Sequence, residues 1–188
     1  MMSGDGKNIV SLMQQLRKLC EQISLLLMTA DSLMIDRGWR AETAQPFAGL
    51  SYTLSSPRFW IPQDFSRFYK NNNVQHILGF VSVVLDDAEG STSLDEPLLT
   101  AGWFDYGPGV EVGKRWQYSY ARWHLKMPQR SDDGRLLPAS STIWPKEPLP
   151  FLQVSTLGVP LTSILDAEAL KSKIVEPLIQ GIKGAQGR

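Results

Sequence analysis

The sequence has a single cysteine, Cys20, so neither an intramolecular disulfide nor a paired-cysteine zinc site can form. Its two histidines, His76 and His124, stand in no HExxH-like spacing, which leaves metal binding without a ligand set. Net charge is also missing: Lys+Arg and Asp+Glu are both 19 and cancel. That balance removes the basic footprint of a general nucleic-acid binder and makes nucleic acid a disfavoured partner. It also gives little electrostatic protection against self-association. Long apolar runs are lacking. The longest in the first helical segment, "ISLLLM", is far too short to span a bilayer, and the opening "MMSGDGKNIV" has no basic region followed by an apolar core. No membrane attachment is expected, and the reading is a soluble, cytoplasmic protein. Cofactor signatures are absent as well. "GPGVEVG" has neither dinucleotide-binding nor phosphate-loop spacing and reads as a turn, and no GxSxG elbow occurs. No cofactor is expected.

What is present suits one α+β domain spanning residues 1–188. The hydrophobic fraction of 43% and charged fraction of 20% are ordinary for a chain with a sizeable core. From Ile9 to Leu33 apolar residues recur at alternating steps of three and four: Ile9, Leu12, Leu16, Leu19, Ile23, Leu26, Ala30 and Leu33. This is the a/d seam of a heptad helix. A second row, Met13, Cys20, Leu27 and Met34, fills the e positions, and Gln15, Gln22 and Thr29 occupy g. Two-stranded zippers usually charge e and g. Here they are apolar or neutral, so the face is wide enough to pack on a sheet. The same stripe also suits a helix-mediated homodimer, and one helix can serve both. Gly38 is the expected stop, with Arg37 in the last turn.

Beyond Trp39 the period changes to two. Ala48, Leu50, Tyr52 and Leu54 mark a half-buried strand, and "SPRFWIPQDF" an edge strand or extended loop. "QDFSRFYKNNN" is read as a short helical turn ending in an asparagine-marked loop. "HILGFVSVVLDD" is apolar on both faces and is therefore a central strand. "LLTAGWFDYG" follows, with "RWQYSYARWHLKM" as its hairpin partner. Residues 128–150 are rich in proline and serine and form a long loop with apolar anchors. "FLQVSTLGVPL" is a last strand. The closing helix has Asp166 as N-cap, Leu170, Ile174, Leu178 and Ile182 as its stripe, a kink at Pro177, and a frayed tail over 183–188. Strands without intervening helices imply an antiparallel sheet, here of about five strands, with the C-terminal helix on one face.

Two constellations carry chemistry. Along the strand 116–126, alternate residues put Trp116, Tyr118, Tyr120, Arg122 and His124 on one face. Joined by Trp103, they could line an aromatic, cationic pocket between sheet and helices for a small-molecule ligand. Aromatic strand residues equally well cover a core. The second set contains Trp60, Arg67 and Phe68, with Trp144 from the long loop. Arginine and aromatics are the residue types that anchor protein interfaces, although core capping explains them too. No nucleophile, base and orienting group assemble, so an enzyme would need His124 against a carboxylate such as Asp105. The sequence thus favours a non-catalytic interaction module that binds a protein partner or itself. A small-molecule sensor is the alternative, and an enzyme the third reading.

Overall fold

The computed structural model describes residues 6–48, 61–86, 96–112, 137–138 and 151–186. It opens with helix α1, Gly6–Ile35. The helix stops as expected at Gly38, whose φ of 80° is the left-handed geometry that glycine adopts without a Cβ penalty. The Trp39 amide bonds back to the Met34 carbonyl at 3.0 Å and the Gly38 amide to that of Ile35 at 2.9 Å. This pair of reversed bonds is a Schellman stop, sealed by burial of both Met34 and Trp39. Arg37 adds a third cap by donating to the Leu33 carbonyl at 2.9 Å.

The sheet is antiparallel and follows α1. Two short strands, β1 (Arg40–Ala41) and β2 (Phe47–Ala48), pair with β3 (Asp64–Lys70) along the edge that β4 does not take. Next come β4 (Ile77–Val84), β5 (Leu98–Asp105), the two-residue β6 (Leu137–Pro138) and β7 (Gln153–Pro160). Among the described residues the order is β1-β3-β4-β5-β7-β6, with β2 also on β3. β4 is central and buried along its whole length, as its two apolar faces require.

Two expectations about the sheet change. Residues 64–70 form strand β3 rather than a helical turn. Phe65, Arg67 and Tyr69 alternate with Ser66 and Phe68, and both sets find cover beside β4. The asparagines after it do make the turn, with the Asn71 side chain accepting from the Asn73 amide at 2.8 Å. Strand β5 is paired over all eight residues by β4 on one side and β7 on the other. Both its edges are filled, so the expected hairpin with residues 115–127 is not its pairing. Those residues themselves lie outside the described ones, as do Leu50, Tyr52 and Leu54.

The chain closes with helix α2 (Ala167–Leu170), a π-helical turn (Lys171–Val175) and helix α3 (Glu176–Gln186). Asp166 is the N-cap, its carboxylate accepting from the Ala169 amide at 2.8 Å. The π turn ends at Val175, two residues before Pro177. Proline has no amide to donate and clashes with the carbonyl four residues back, and the wider turn relieves both. Helix α3 runs to Gln186, past the expected fraying point, because Ile182 is buried and Ala185 packs beside it.

Both helices lie on one sheet face. Ile23, Leu27, Ala30 and Met34 of α1, together with Leu170, Ile174, Leu178 and Ile182, share a core with Val81, Val83, Leu99, Ala101 and Leu157. The opposite face carries a second cluster around Phe68, Leu78, Phe80 and Phe104. At its centre Gly102 is obligatory, since a Cβ there would strike the Ser155 carbonyl and the Phe80 ring. Among the described residues no helix is long and apolar enough to cross a membrane.

Candidate interaction surface

Helix α1 has one continuous apolar stripe and two environments. From Ile23 onward the stripe is core: Ala30 and Met34 are completely covered, and Leu26 and Leu33 pack at its margin. Burying Ile23, Leu27 and Met34 contributes about 1.5–3 kcal/mol each. Before Leu19 the helix overhangs the sheet. Leu12 is 66% exposed, Ile9 52% and Met13 45%, although they continue the same a, d and e rows.

A polar clamp holds the docked half. Asp31 lies one position beyond the a row. Its carboxylate accepts from Arg67 Nε at 3.0 Å and from Arg67 Nη2, and the Tyr69 hydroxyl donates to it at 2.9 Å. Arg67 Nη1 donates to the Thr43 carbonyl at 2.7 Å. Arg67 is buried, so this forked pair joins α1 to β3 where water screens little. Burial pushes the Tyr69 hydroxyl well above its usual range, and the Asp31 charge and hydrogen bond push it further. A second tie runs from Arg37 to Glu176 at 3.4 Å, fixing α1 to α3.

Beside the stripe, between α1 and the segment leading into α2, lies a groove of about 520 Å³ lined by Leu19, Ile23, Leu26, Leu161, Ile164 and Leu165. Leu165 immediately precedes the N-cap, where an apolar residue often folds back over the helix as a staple. Here it is 85% exposed and adds to the open apolar area instead. On the other flank, Cys20, Leu27, Phe65 and the Asp31–Arg67 pair line a smaller cleft of about 360 Å³.

Three candidate site residues lie among those described. Trp103 is buried in the helix-side core, where its indole N–H has no hydrogen-bond partner among the described residues. Arg67 points to α1 and is spent on Asp31. Phe68 is buried in the opposite cluster. Trp60, Trp116, Tyr118, Tyr120, Arg122, His124 and Trp144 lie outside the described residues. Asp105, the carboxylate named for His124, accepts from the Gly107 amide at 2.8 Å and stands 3.9 Å from His76 Nε2. Among the described residues no group of three His, Cys, Asp or Glu side chains could hold a metal ion. Sequence reasoning missed Asp31 and Leu165. Asp31 left one signal, an acidic residue bordering an apolar stripe. Compared with known protein families, characterised proteins and solved structures, the chain matches none.

Proposed function

We propose that this chain is a non-catalytic interaction module that associates with itself through the overhanging half of α1. One observation carries the reading: a single stripe is core from Ile23 to Met34, yet solvent-facing at Ile9, Leu12 and Met13. Exposed apolar groups scattered singly need no explanation, but a contiguous row in register with a core does. The neutral overall charge opposes association only weakly.

Light scattering during size exclusion, at loads up to about 0.3 mM, detects a dissociation constant as weak as about 0.1 mM. The expected result is a mass that rises with concentration toward a dimer, and a Leu12→Glu, Leu16→Glu double variant that stays monomeric with an unchanged melting temperature. A parent protein that remains monomeric at the highest load overturns the reading.

A further inference from the structure

Residues 9–19 carry more than exposed apolar groups: their seam positions are Ile9, Leu12, the half-buried Leu16, and Leu19 at the margin of the core, spaced three, four and three. That spacing reads the same in both directions. A second helix running the opposite way therefore presents one apolar knob against each layer. We propose that two copies pair antiparallel through this half. Ile9 lies against the partner's Leu19 and Leu12 against the partner's Leu16, about a two-fold axis beside Gln14. The proposal rests on the self-association reading above and adds its geometry.

Four features support the antiparallel sense. In a parallel pair the two helices would run side by side beyond Leu19, but there the same face of α1 is already occupied by its own sheet. Two sheets at one level on the facing sides cannot both fit. Reversing one helix places the two sheets at opposite ends of the contact and limits it to the overhang. The flanks agree as well. In an antiparallel pair e faces e and g faces g, which brings Met13 to the partner's Met13 and Gln15 to the partner's Gln15. Apolar then meets apolar and amide meets amide, while Arg17, Lys18 and Glu21 fall outside the seam. The reach also matches. The first turn of the partner helix arrives level with Leu19 to Gln22, where the groove of Leu26, Ile164 and Leu165 stands open. Finally, the area suffices for a weak dimer. Each aliphatic side chain taken from water corresponds to about 60–120 Å² at the usual transfer coefficient. The open residues Ile9, Leu12, Met13 and Leu165, with the half-buried Leu16 and Leu19 counted at half, thus offer about 300–600 Å² per copy, below the roughly 800 Å² of a standard interface and in the range of weak contacts.

Crosslinking separates the arrangements. In a Cys20→Ala background, Gln15→Cys sits near the axis, about 3 Å from its copy along the helix direction, whereas Ile9→Cys is displaced by about 15 Å. A short bis-maleimide is expected to couple Gln15→Cys dimers about tenfold faster than Ile9→Cys dimers, since thiols so far apart cannot be bridged without backbone movement. Adding Leu12→Glu abolishes coupling at both sites. Faster coupling at Ile9→Cys, in protein whose mass is dimeric, overturns the antiparallel pairing and leaves self-association standing. Coupling at neither site in dimeric protein also overturns it, by placing the contact elsewhere. A monomeric mass before any crosslinker removes both proposals.

Discussion

The two halves of α1 share a pattern and differ in what lies beneath it. Residues 23–34 put a and e positions on pleated backbone and are tied down by Asp31 to Arg67 and Tyr69. Residues 9–19 repeat the same rows with no such cover at Ile9, Leu12 and Met13. An apolar stripe is therefore a capacity for burial, and the neighbour decides whether the stripe becomes core or contact surface.

The sharpest way to break this contrast is to cut the clamp. Asp31→Ala leaves the Arg67 guanidinium buried without its counter-charge, and is expected to cost about 3–5 kcal/mol in urea unfolding. A loss below about 1 kcal/mol, within the range of surface ion pairs, shows that the clamp does not hold the docked half.

Truncating the stripe in each half tests the comparison directly. Leu27→Ala opens a cavity in the core and is expected to cost about 2–5 kcal/mol. Leu12→Ala, fifteen residues earlier on the same stripe, changes monomer stability by no more than about 0.5 kcal/mol. Chemical denaturation of dilute protein measures both, and equal costs would show that the overhang is covered within the monomer.

Alkaline pH gives the gentlest probe. The Tyr69 hydroxyl is held protonated by burial and by Asp31, and that of Tyr106 by burial. Both titrate above the ordinary tyrosine value of about 10. A group whose pKa is raised in the fold contributes fully below its unfolded value, and that contribution is lost as pH rises through the folded value. Stability should therefore be level near pH 8 and decline above about pH 10. Tyr69→Phe is expected to flatten part of that decline, at a cost of about 1 kcal/mol near neutrality for the lost hydrogen bond. Leu12→Ala leaves the slope unchanged. Urea midpoints from pH 7 to 11 read all three, and an identical slope in Tyr69→Phe argues that this hydroxyl is not held neutral.

Much of the architecture was legible because it is written locally. The heptad rows located α1, Gly38 its stop, Asp166 the last N-cap and Pro177 the irregular turn. Two-sided apolarity made Ile77–Val84 central. The segment 64–70 was misread because Arg67 and Ser66 interrupt its apolar alternation. Their burial is explained only by Asp31, thirty-six positions earlier, and by Ser82, whose hydroxyl lies 2.8 Å from that of Ser66. The neighbours of β5 were misjudged because order in a sheet is a long-range choice that no single strand records. Of the candidate surface, the stripe was visible and its division was not.

The sequence alone determined that a long amphipathic helix exists, where it stops, and that its apolar face is wide, since periodicity and capping act within a few residues. Only the tertiary structure decided that this face meets the core from Leu19 onward and is fully buried from Ile23, and that Asp31 is the residue clamping it there. Coverage depends on how far separate strands extend in space, and that distance is set by contacts between parts of the chain that sequence spacing does not relate.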